Sequence, residues 1–207
     1  MQESVIFLSK KDPILNQIVL KYGIPEIPKR DEGFVSLIQI ILEQQVSIAS
    51  AKAHFLKLQD YLVEINPETI LKVSPETLRE CGISRQKIVY LKDAAEKILD
   101  NSVQLHQFKN LSETEIRKQL LSIKGVGVWT TDVYLQFCLG LPDIIPLGDI
   151  AVRNTIKELY QIHEVEKIEI LSQNWKPFRS MATFLLWHHY LEKRKKNKFF
   201  YNILTLY

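Results

Sequence analysis

The sequence predicts an all-α protein on the basis of two observations. Apolar residues recur at the spacing of three and four that places them on one face of a helix. Glycine occurs only seven times in 207 residues, and the alternating pattern of a strand is found only as a weak candidate at residues 5–8. The helical spacing is found in five stretches, which are residues 34–46, 88–99, 116–123, 152–160 and 178–186.

Each stretch carries its own apolar stripe, and several helix starts are marked by capping residues. A capping side chain is followed by proline or an acidic residue at Asn66-Pro67-Glu68, Ser74-Pro75-Glu76 and Ser112-Glu113. In chain order the stripes are Phe34, Leu37, Ile38, Ile41 and Leu42; Ile88, Leu91, Ala95, Ile98 and Leu99; Ile116, Leu120 and Ile123; Val152, Ile156, Leu159 and Tyr160; and Phe178, Met181, Ala182, Leu185 and Leu186.

Composition excludes several classes of protein. Hydrophobic residues make up 46% and charged residues 25%, which is typical of a soluble globular chain and not of a disordered, collagen-like or coiled-coil protein. No stretch approaches the roughly 18 consecutive apolar residues of a membrane span, and residues 1–13 lack the pattern of a secretory signal. Two cysteines are too few for a disulfide framework or a four-cysteine iron–sulfur cluster. We expect an intracellular protein, in the cytoplasm or nucleoid, or in the nucleus of a eukaryote, with no membrane partner.

The chain contains two proline-bearing connections that are candidate boundaries between lobes, at residues 23–33 and 140–148. If both cross between lobes, residues 34–141 form one helical lobe, and residues 1–33 pair with 142–207 to form the other. Such a layout predicts an inter-lobe cleft, which is a common location for an active site.

The string LSIKGVGVWTTDVYL at residues 121–135 predicts two helices joined by a tight turn. The first helix is expected to end near Ile123, Gly125-Val126-Gly127 forms the turn, and the second helix begins near Trp129 or Thr130. Free amides at a helix start bind anions, and the hydroxyls of Thr130 and Thr131 are expected at the same end. The net charge of +3 and the pI near 8.7 are compatible with a nucleic-acid phosphate as the anion. An ordinary corner between two helices is the alternative.

This string resembles the helix-hairpin-helix of the DNA glycosylase superfamily. Four further segments, in the same order as in the family, are similar to its 3-methyladenine DNA glycosylase II (alkylbase glycosylase) branch. These segments are residues 40–51, 81–98, 144–154 and 174–189. The resemblance runs from about Phe34 to His189 and implies a base excision repair enzyme that hydrolyses the N-glycosidic bond of damaged, alkylated purines in double-stranded DNA and acts as a monomer.

The resemblance assigns the catalytic role to Asp149, which on sequence grounds alone is the N-cap of the helix that follows it. A carboxylate there stabilises the positive charge that develops on the sugar. Trp129, Trp187 and Tyr134 match positions of the pocket for the flipped base, with core packing as the alternative. Bifunctional relatives have a lysine nucleophile where this chain has Trp129, so no strand-cutting lyase activity is expected.

The resemblance also implies a set of DNA contacts. Gln45 falls on the position of the wedge that fills the gap left by the flipped base. The hairpin contacts are expected at Lys124, Gly125, Val126, Gly127, Thr130 and Thr131. The family's hairpin binds a monovalent cation, Na⁺ or K⁺, through backbone carbonyls that fall on Leu121, Ile123 and Val126, and no other cofactor is expected.

Asp132 fits this interpretation less directly, and the basic tail allows several interpretations. Asp132 lies in the first turn of the hairpin's second helix, where a carboxylate repels a phosphate unless it points away. The basic tail at residues 193–207 is compatible with binding of the DNA backbone, with an import signal and with the solvated end of a helix. The five histidines show no ligand spacing, so no transition-metal site is expected.

Two other classes of function remain open. A non-catalytic helix-hairpin-helix module would bind DNA through the hairpin alone and would not need Asp149. In a purely structural helical adaptor, the glycines would form turns between helices and the tryptophans would pack in the hydrophobic core. Such a protein would show no salt-dependent affinity for DNA.

Overall fold

The computed structural model describes residues 2–194, and every regular element within this range is a helix. The predicted all-α class is confirmed. The α-helices are α1 (Gln2–Lys11), α2 (Pro13–Tyr22), α3 (Phe34–Glu43), α4 (Ile48–Tyr61), α5 (Pro67–Lys72), α6 (Pro75–Glu80), α7 (Arg85–Leu99), α8 (Glu113–Leu121), α9 (Val128–Phe137), α10 (Ile150–Tyr160), α11 (Val165–Gln173) and α12 (Arg179–Arg194), with a 3-10 helix at Leu105–Asn110. None of these helices is long and apolar enough to cross a membrane.

The weak strand candidate at residues 5–8 is wrong, because these residues lie in α1. Val5 and Leu8 are both buried and stand three residues apart, which is a helical spacing. Ile6 is apolar but exposed, so the run of four apolar residues does not itself show which side of the helix is buried.

The chain folds into two compact units. Arg30–Tyr134 form the hairpin unit, and the described residues up to Lys29 and from Leu135 onward form the aspartate unit. The second boundary therefore falls within α9, whereas the sequence places it after residue 141. The reason is that the end of α9 packs in the aspartate unit, where Phe137 contacts Phe184 and Trp187 of α12.

The core of the hairpin unit is organised around α7, which contacts α3, α5 and α6. Three lysines at five-residue intervals on α7 donate hydrogen bonds to backbone carbonyls near the ends of other helices. Lys87 donates to Leu42 at the end of α3, Lys92 to residues 70, 71 and 73 at the end of α5, and Lys97 to Ser122 after α8. Cations at helix C-termini complement the unpaired carbonyls there. Partial burial lowers the pKa of Lys87 despite the nearby Glu43.

The core of the aspartate unit forms where α12 packs against α1, α2 and α10. Its buried apolar side chains include Leu8, Leu15, Val152, Ile156, Trp175, Leu185 and Leu186. A carboxylate, Asp12, lies beside this core with only 7% of its surface exposed.

Asp12 connects three segments of the aspartate unit. Its Oδ1 accepts hydrogen bonds from the backbone N–H groups of Ile14 and Leu15 at the start of α2, at 2.9 and 3.1 Å. Its Oδ2 accepts from the hydroxyl of Tyr160 at 2.8 Å and from the indole N–H of Trp175 at 2.7 Å. Burial, together with this carboxylate, raises the pKa of Tyr160. Removal of Asp12 would leave several buried donors without an acceptor.

We expect Asp12→Ala to lower the free energy of unfolding by about 3 kcal/mol, because it removes a helix cap and leaves buried donors unsatisfied. Urea unfolding followed by circular dichroism measures this loss. Asp60→Ala is the control, since Asp60 is exposed on α4. Equal midpoints for the two variants would contradict the structural role assigned to Asp12.

Candidate active site

Asp149 is the N-cap of α10, as the sequence predicts for its structural role. Its Oδ1 accepts a hydrogen bond from the backbone N–H of Val152 at 2.9 Å and a second from the indole N–H of Trp187 at 3.0 Å. The side chain is half-buried. The positive end of the α10 dipole and these two donors stabilise the negative carboxylate and fix its orientation.

The loop that leads to Asp149 is held by hydrogen bonds and an ion pair from residues at the start of α12. The hydroxyl of Ser180 donates to the carbonyl of Leu141 at 2.6 Å and accepts from the N–H of Ile144 at 3.0 Å. Arg179 makes a bidentate pair with Asp143, with Nε–Oδ1 and Nη2–Oδ2 distances of 2.8 and 2.9 Å. This rigid support lets the loop hold a carboxylate in one position.

Trp187 belongs to an aromatic cluster beside Asp149. Its ring is stacked on Phe137, with centroids 5.5 Å apart and an interplanar angle of 22°, and it also contacts Phe184 at 5.8 Å. Trp187 is therefore held by packing on its face while its N–H holds Asp149. Phe137 and Phe184 were not predicted as part of the site. The spacing of three between Phe184 and Trp187 on α12 is the signal that could have indicated a shared face.

The hairpin consists of α8, a turn at residues 122–127, and α9. Its helices end and begin slightly earlier than expected, at Leu121 and Val128. Gly125 has φ of +75°, and a Cβ there would lie 2.1 Å from the ring of Tyr90, so only glycine fits. A Cβ on Gly127 would have no neighbour within 4 Å, which leaves open space before the first turn of α9. Trp129 lies half-buried in that turn, and Val126 is buried.

Asp93 of α7, which was not predicted, anchors the turn of the hairpin. This buried carboxylate accepts the backbone N–H of Lys124 at 2.8 Å, and its oxygens lie 3.4 Å from Lys124 Nζ and 3.9 Å from Lys97 Nζ. Lys124 is itself 68% exposed, so the predicted contact residue remains accessible while it pairs with Asp93. A single aspartate within a helix gives no sequence signal for such a contact.

The predicted role of the threonine hydroxyls in an anion site is corrected by the structure. Thr130 and Thr131 are 2% and 0% exposed, respectively. The Oγ1 atom of Thr130 accepts a hydrogen bond from the Nε2 atom of Gln44 at 2.9 Å, and the Oγ1 atom of Thr131 is buried. These side chains face the interior because α9 turns this side toward the core. The expectation of an anion site at the start of α9 therefore rests on backbone amides and not on these two hydroxyls.

Tyr134 has no exposed surface, and the structure assigns it to the core instead of a pocket. Its hydroxyl accepts the N–H of Gly33 at 2.9 Å, and its ring packs edge-on against Phe108 at 6.1 Å. A side chain without exposed surface cannot line an open pocket. The sequence could not separate these roles, since a buried tyrosine and a pocket tyrosine follow the same helical spacing.

Asp132 forms an ion pair with Arg117, which explains how a carboxylate is tolerated near a candidate anion site. Arg117 Nη1 lies 2.8 Å from Asp132, and its Nε lies 2.7 Å from Glu113 of α8. Burial opposes the charged form of Arg117, but the two carboxylates outweigh it and raise its pKa. The charge of Asp132 is therefore compensated within the hairpin.

Gln45 is exposed in the turn between α3 and α4 and has a left-handed φ of +55°. The preceding Gln44 directs its side chain differently, because its Nε2 donates to the carbonyl of Gly125 and to Oγ1 of Thr130, both at 2.9 Å. The exposed position of Gln45 is compatible with insertion between bases.

The predicted cation ligands are backbone carbonyls at the end of α8 and in the turn. Leu121 is the last residue of α8, where helix carbonyls lack intrahelical donors, and the carbonyl of Ile123 accepts the N–H of Val126 at 3.1 Å. Among residues 2–194, no group of three or more His, Cys, Asp or Glu side chains could hold a metal ion. Most of the basic tail, residues 195–207, lies outside the described residues.

Comparison with known proteins identifies the family. Residues 38–180 match the HhH-GPD superfamily of base excision DNA repair proteins. In Schizosaccharomyces pombe, the alkylbase DNA glycosidase-like protein mag2 is 30% identical over 190 residues, which cover 87% of this chain and 89% of mag2. DNA-3-methyladenine glycosylase 1 of the same yeast is 30% identical over 168 residues, covering 77% of this chain and 73% of that protein. The Bacillus subtilis protein YfjP is 32% identical over 124 residues, and the match spans 58% of this chain but only 43% of YfjP.

Solved structures agree with these matches. The S. pombe 3-methyladenine DNA glycosylase Mag1, determined in complex with abasic DNA, has a TM-score of 0.79 and 27% identity, covering 94% of this chain and 97% of that one. A DNA-3-methyladenine glycosidase of Bacillus halodurans has a TM-score of 0.78 and 27% identity, covering 92% of this chain and 89% of that one. The family predicted from the sequence is confirmed, and the chain belongs to the HhH-GPD superfamily of base excision DNA repair proteins.

Proposed function

We propose that this chain is a monofunctional DNA glycosylase that hydrolyses the N-glycosidic bond of damaged, alkylated purines in double-stranded DNA, as the first step of base excision repair in the cell. We propose further that it acts as a monomer. One observation carries the catalytic part of this proposal. The carboxylate of Asp149 is half-buried, capped onto α10 and oriented by the indole N–H of Trp187.

Asp149 performs the chemistry by stabilising charge and by accepting a proton. When the bond between the sugar C1′ and the base nitrogen breaks, its electron pair leaves with the base, and positive charge develops on the sugar. The carboxylate stabilises this charge, water forms the new bond to C1′, and the proton of that water passes to the carboxylate. An alkylated purine already carries a positive charge and leaves as a neutral base, so no strong general acid is required.

Aromatic side chains supply the recognition of the base. The face of an indole attracts a cationic ring by stacking and by cation–π interaction, which favours an alkylated purine over a neutral one. Trp187 and Trp129 are both half-buried, so each retains surface for such a contact. For Trp187 this role adds to its hydrogen bond with Asp149.

The hairpin binds the DNA backbone through the start of α9. The amide of Val128 lies in the first turn, where the positive end of the helix dipole favours an anion. A Cβ at Gly127 would have no neighbour within 4 Å, so there is open space beside this residue, and Lys124 is exposed on the other side of the turn. Contacts between basic residues and phosphates weaken as salt is added.

Glycosylases of this family generally need no cofactor for hydrolysis. The carbonyls of Leu121, Ile123 and Val126 would hold a Na⁺ or K⁺ ion, which would supply positive charge beside the phosphate. Backbone oxygens at the end of α8 suit such a hard monovalent cation, since they carry the negative end of the helix dipole.

We expect Asp149→Asn to reduce the release of methylpurines from methylated duplex DNA at least about a hundredfold, since the negative charge is lost. Asparagine is also a good N-cap, so α10 should remain folded. Asp60→Asn provides the same change of charge at an exposed position of α4. Undiminished release by Asp149→Asn would exclude the assigned role. Salt-sensitive binding by the wild type without release from any of a panel of lesions would favour the non-catalytic DNA-binding module.

We expect wild-type protein to form no covalent adduct when borohydride is present during base release. Trapping requires a Schiff base between an amine and the sugar, and Trp129 occupies the position of the lysine found in bifunctional relatives. Denaturing electrophoresis of labelled DNA detects an adduct, with a bifunctional glycosylase as the positive control. A trapped band would show that this chain contains a lyase nucleophile.

We expect Trp187→Phe to lower kcat roughly tenfold with little change in KM, because the ring is kept while the hydrogen bond to Asp149 is lost. Trp187→Ala removes the ring as well and should raise KM in addition. Steady-state kinetics on methylated duplex DNA separates the two effects. A Trp187→Phe variant with wild-type kcat would mean that only the ring contributes.

A further inference from the structure

Gln44 makes a bridge between two parts of the hairpin unit that are far apart in the chain. Its side-chain Nε2 donates to the carbonyl of Gly125 and to Oγ1 of Thr130, each at 2.9 Å. One acceptor lies in the hairpin turn, and the other lies in the first turn of α9. A carbonyl oxygen can only accept a hydrogen bond, so the group that faces Gly125 must be a donor.

The bridge begins at the residue that precedes the exposed Gln45. Gln44 is the C-cap of α3, and its N–H donates to the carbonyl of Ile41. Lys87 holds the carbonyl of Leu42 in the same turn. These hydrogen bonds hold the backbone up to Gln44, and the next residue, Gln45, has a left-handed φ of +55°.

We infer that Gln44 is a positioning residue for base extrusion, which couples the grip of the hairpin on a phosphate to the insertion of Gln45. The amides at the start of α9 fix the register of the DNA backbone. The two hydrogen bonds of Gln44 then fix where Gln45 enters, because they hold its turn against the same hairpin. This inference rests on the proposed glycosylase function and deepens it.

The bridge is not required to hold the fold together. The α3 helix is anchored by the buried side chains of Leu37, Ile38 and Ile41, and it packs against α4 and α7. The hydrogen bond to Gly125 lies at the surface, where water replaces a lost donor at little cost. Loss of the bridge therefore changes the position of Gln45 relative to the hairpin more than it changes the stability of the hairpin unit.

The test compares Gln44→Met, which keeps the length and neutrality of the side chain but removes both donors, with the matched control Gln59→Met on an exposed face of α4. Three quantities are measured: extrusion of 2-aminopurine from a duplex by its fluorescence, single-turnover release of methylpurine, and affinity for undamaged duplex at two salt concentrations. We expect extrusion and release to fall roughly tenfold in Gln44→Met, with undamaged-duplex affinity, its salt dependence and Tm close to those of the control.

A double-mutant cycle makes the test specific to the bridge. Thr130→Val removes one acceptor in an isosteric way and should reduce extrusion less than Gln44→Met. The double variant should be no worse than Gln44→Met alone, because both changes act on one interaction. Strictly additive effects would overturn the proposed coupling.

The remaining outcomes separate this inference from the function on which it rests. If the wild type extrudes 2-aminopurine and Gln44→Met does so equally well, the positioning role is wrong and the proposed function stands. If Gln44→Met loses affinity for undamaged DNA as much as it loses extrusion, the residue supports the hairpin in general and the coupling is overturned. If the wild type extrudes 2-aminopurine but releases no base, the proposed hydrolysis is wrong. The coupling is then supported if Gln44→Met extrudes less than the wild type and overturned if it extrudes equally well. If the wild type does neither, both proposals fall.

Discussion

Helix ends are the constraint on which the rest of this structure depends. A chain built from short helices has many ends, and each end leaves backbone N–H or C=O groups without an intrahelical partner. At the N-termini, side chains such as Asp12, Ser84 and Ser112 accept hydrogen bonds from these amides. At several C-termini, lysines of α7 donate hydrogen bonds to the unpaired carbonyls. The positions of the helices in the hairpin unit thus follow from where donors and acceptors can meet.

Two helix starts, one in each unit, are occupied in opposite ways. At α10 the cap is Asp149, a carboxylate that the helix holds in place and that still retains exposed surface for a reaction. At α9 the residue before the helix is Gly127, which has no side chain to act as a cap. The first start therefore presents a fixed negative charge, and the second presents the positive end of a helix dipole. Under the proposed function, the first suits the stabilisation of a sugar cation and the second suits the binding of a phosphate.

The features that the sequence predicts best are those that depend on nearby residues. Helix starts such as Asn66 and Ser112, the glycine turn of the hairpin and the cap at Asp149 all follow from local chemistry. Contacts between distant segments could not be predicted in this way. The bridge of Gln44, the anchoring by Asp93 and the burial of Thr131 and Tyr134 depend on how helices pack, and periodicity does not state which apolar stripe faces which partner. The boundary between the two units, which lies within α9, was not predicted for the same reason, because it depends on how the ring of Phe137 packs.

The pairing of Lys124 with Asp93 has a consequence for the energetics of association. A lysine that already has a carboxylate 3.4 Å away does not gain a new partner when a phosphate approaches, but exchanges one anion for another. Only phosphates that are newly neutralised release condensed counterions from the duplex. Arg117 already forms ion pairs with Asp132 and Glu113, so it too would exchange one anion for another. Under the proposed function, the number of counterions released on binding is therefore smaller than the basic residues of the hairpin alone would suggest, and the neutral backbone amides of α9 contribute a correspondingly larger part of the contact with phosphate.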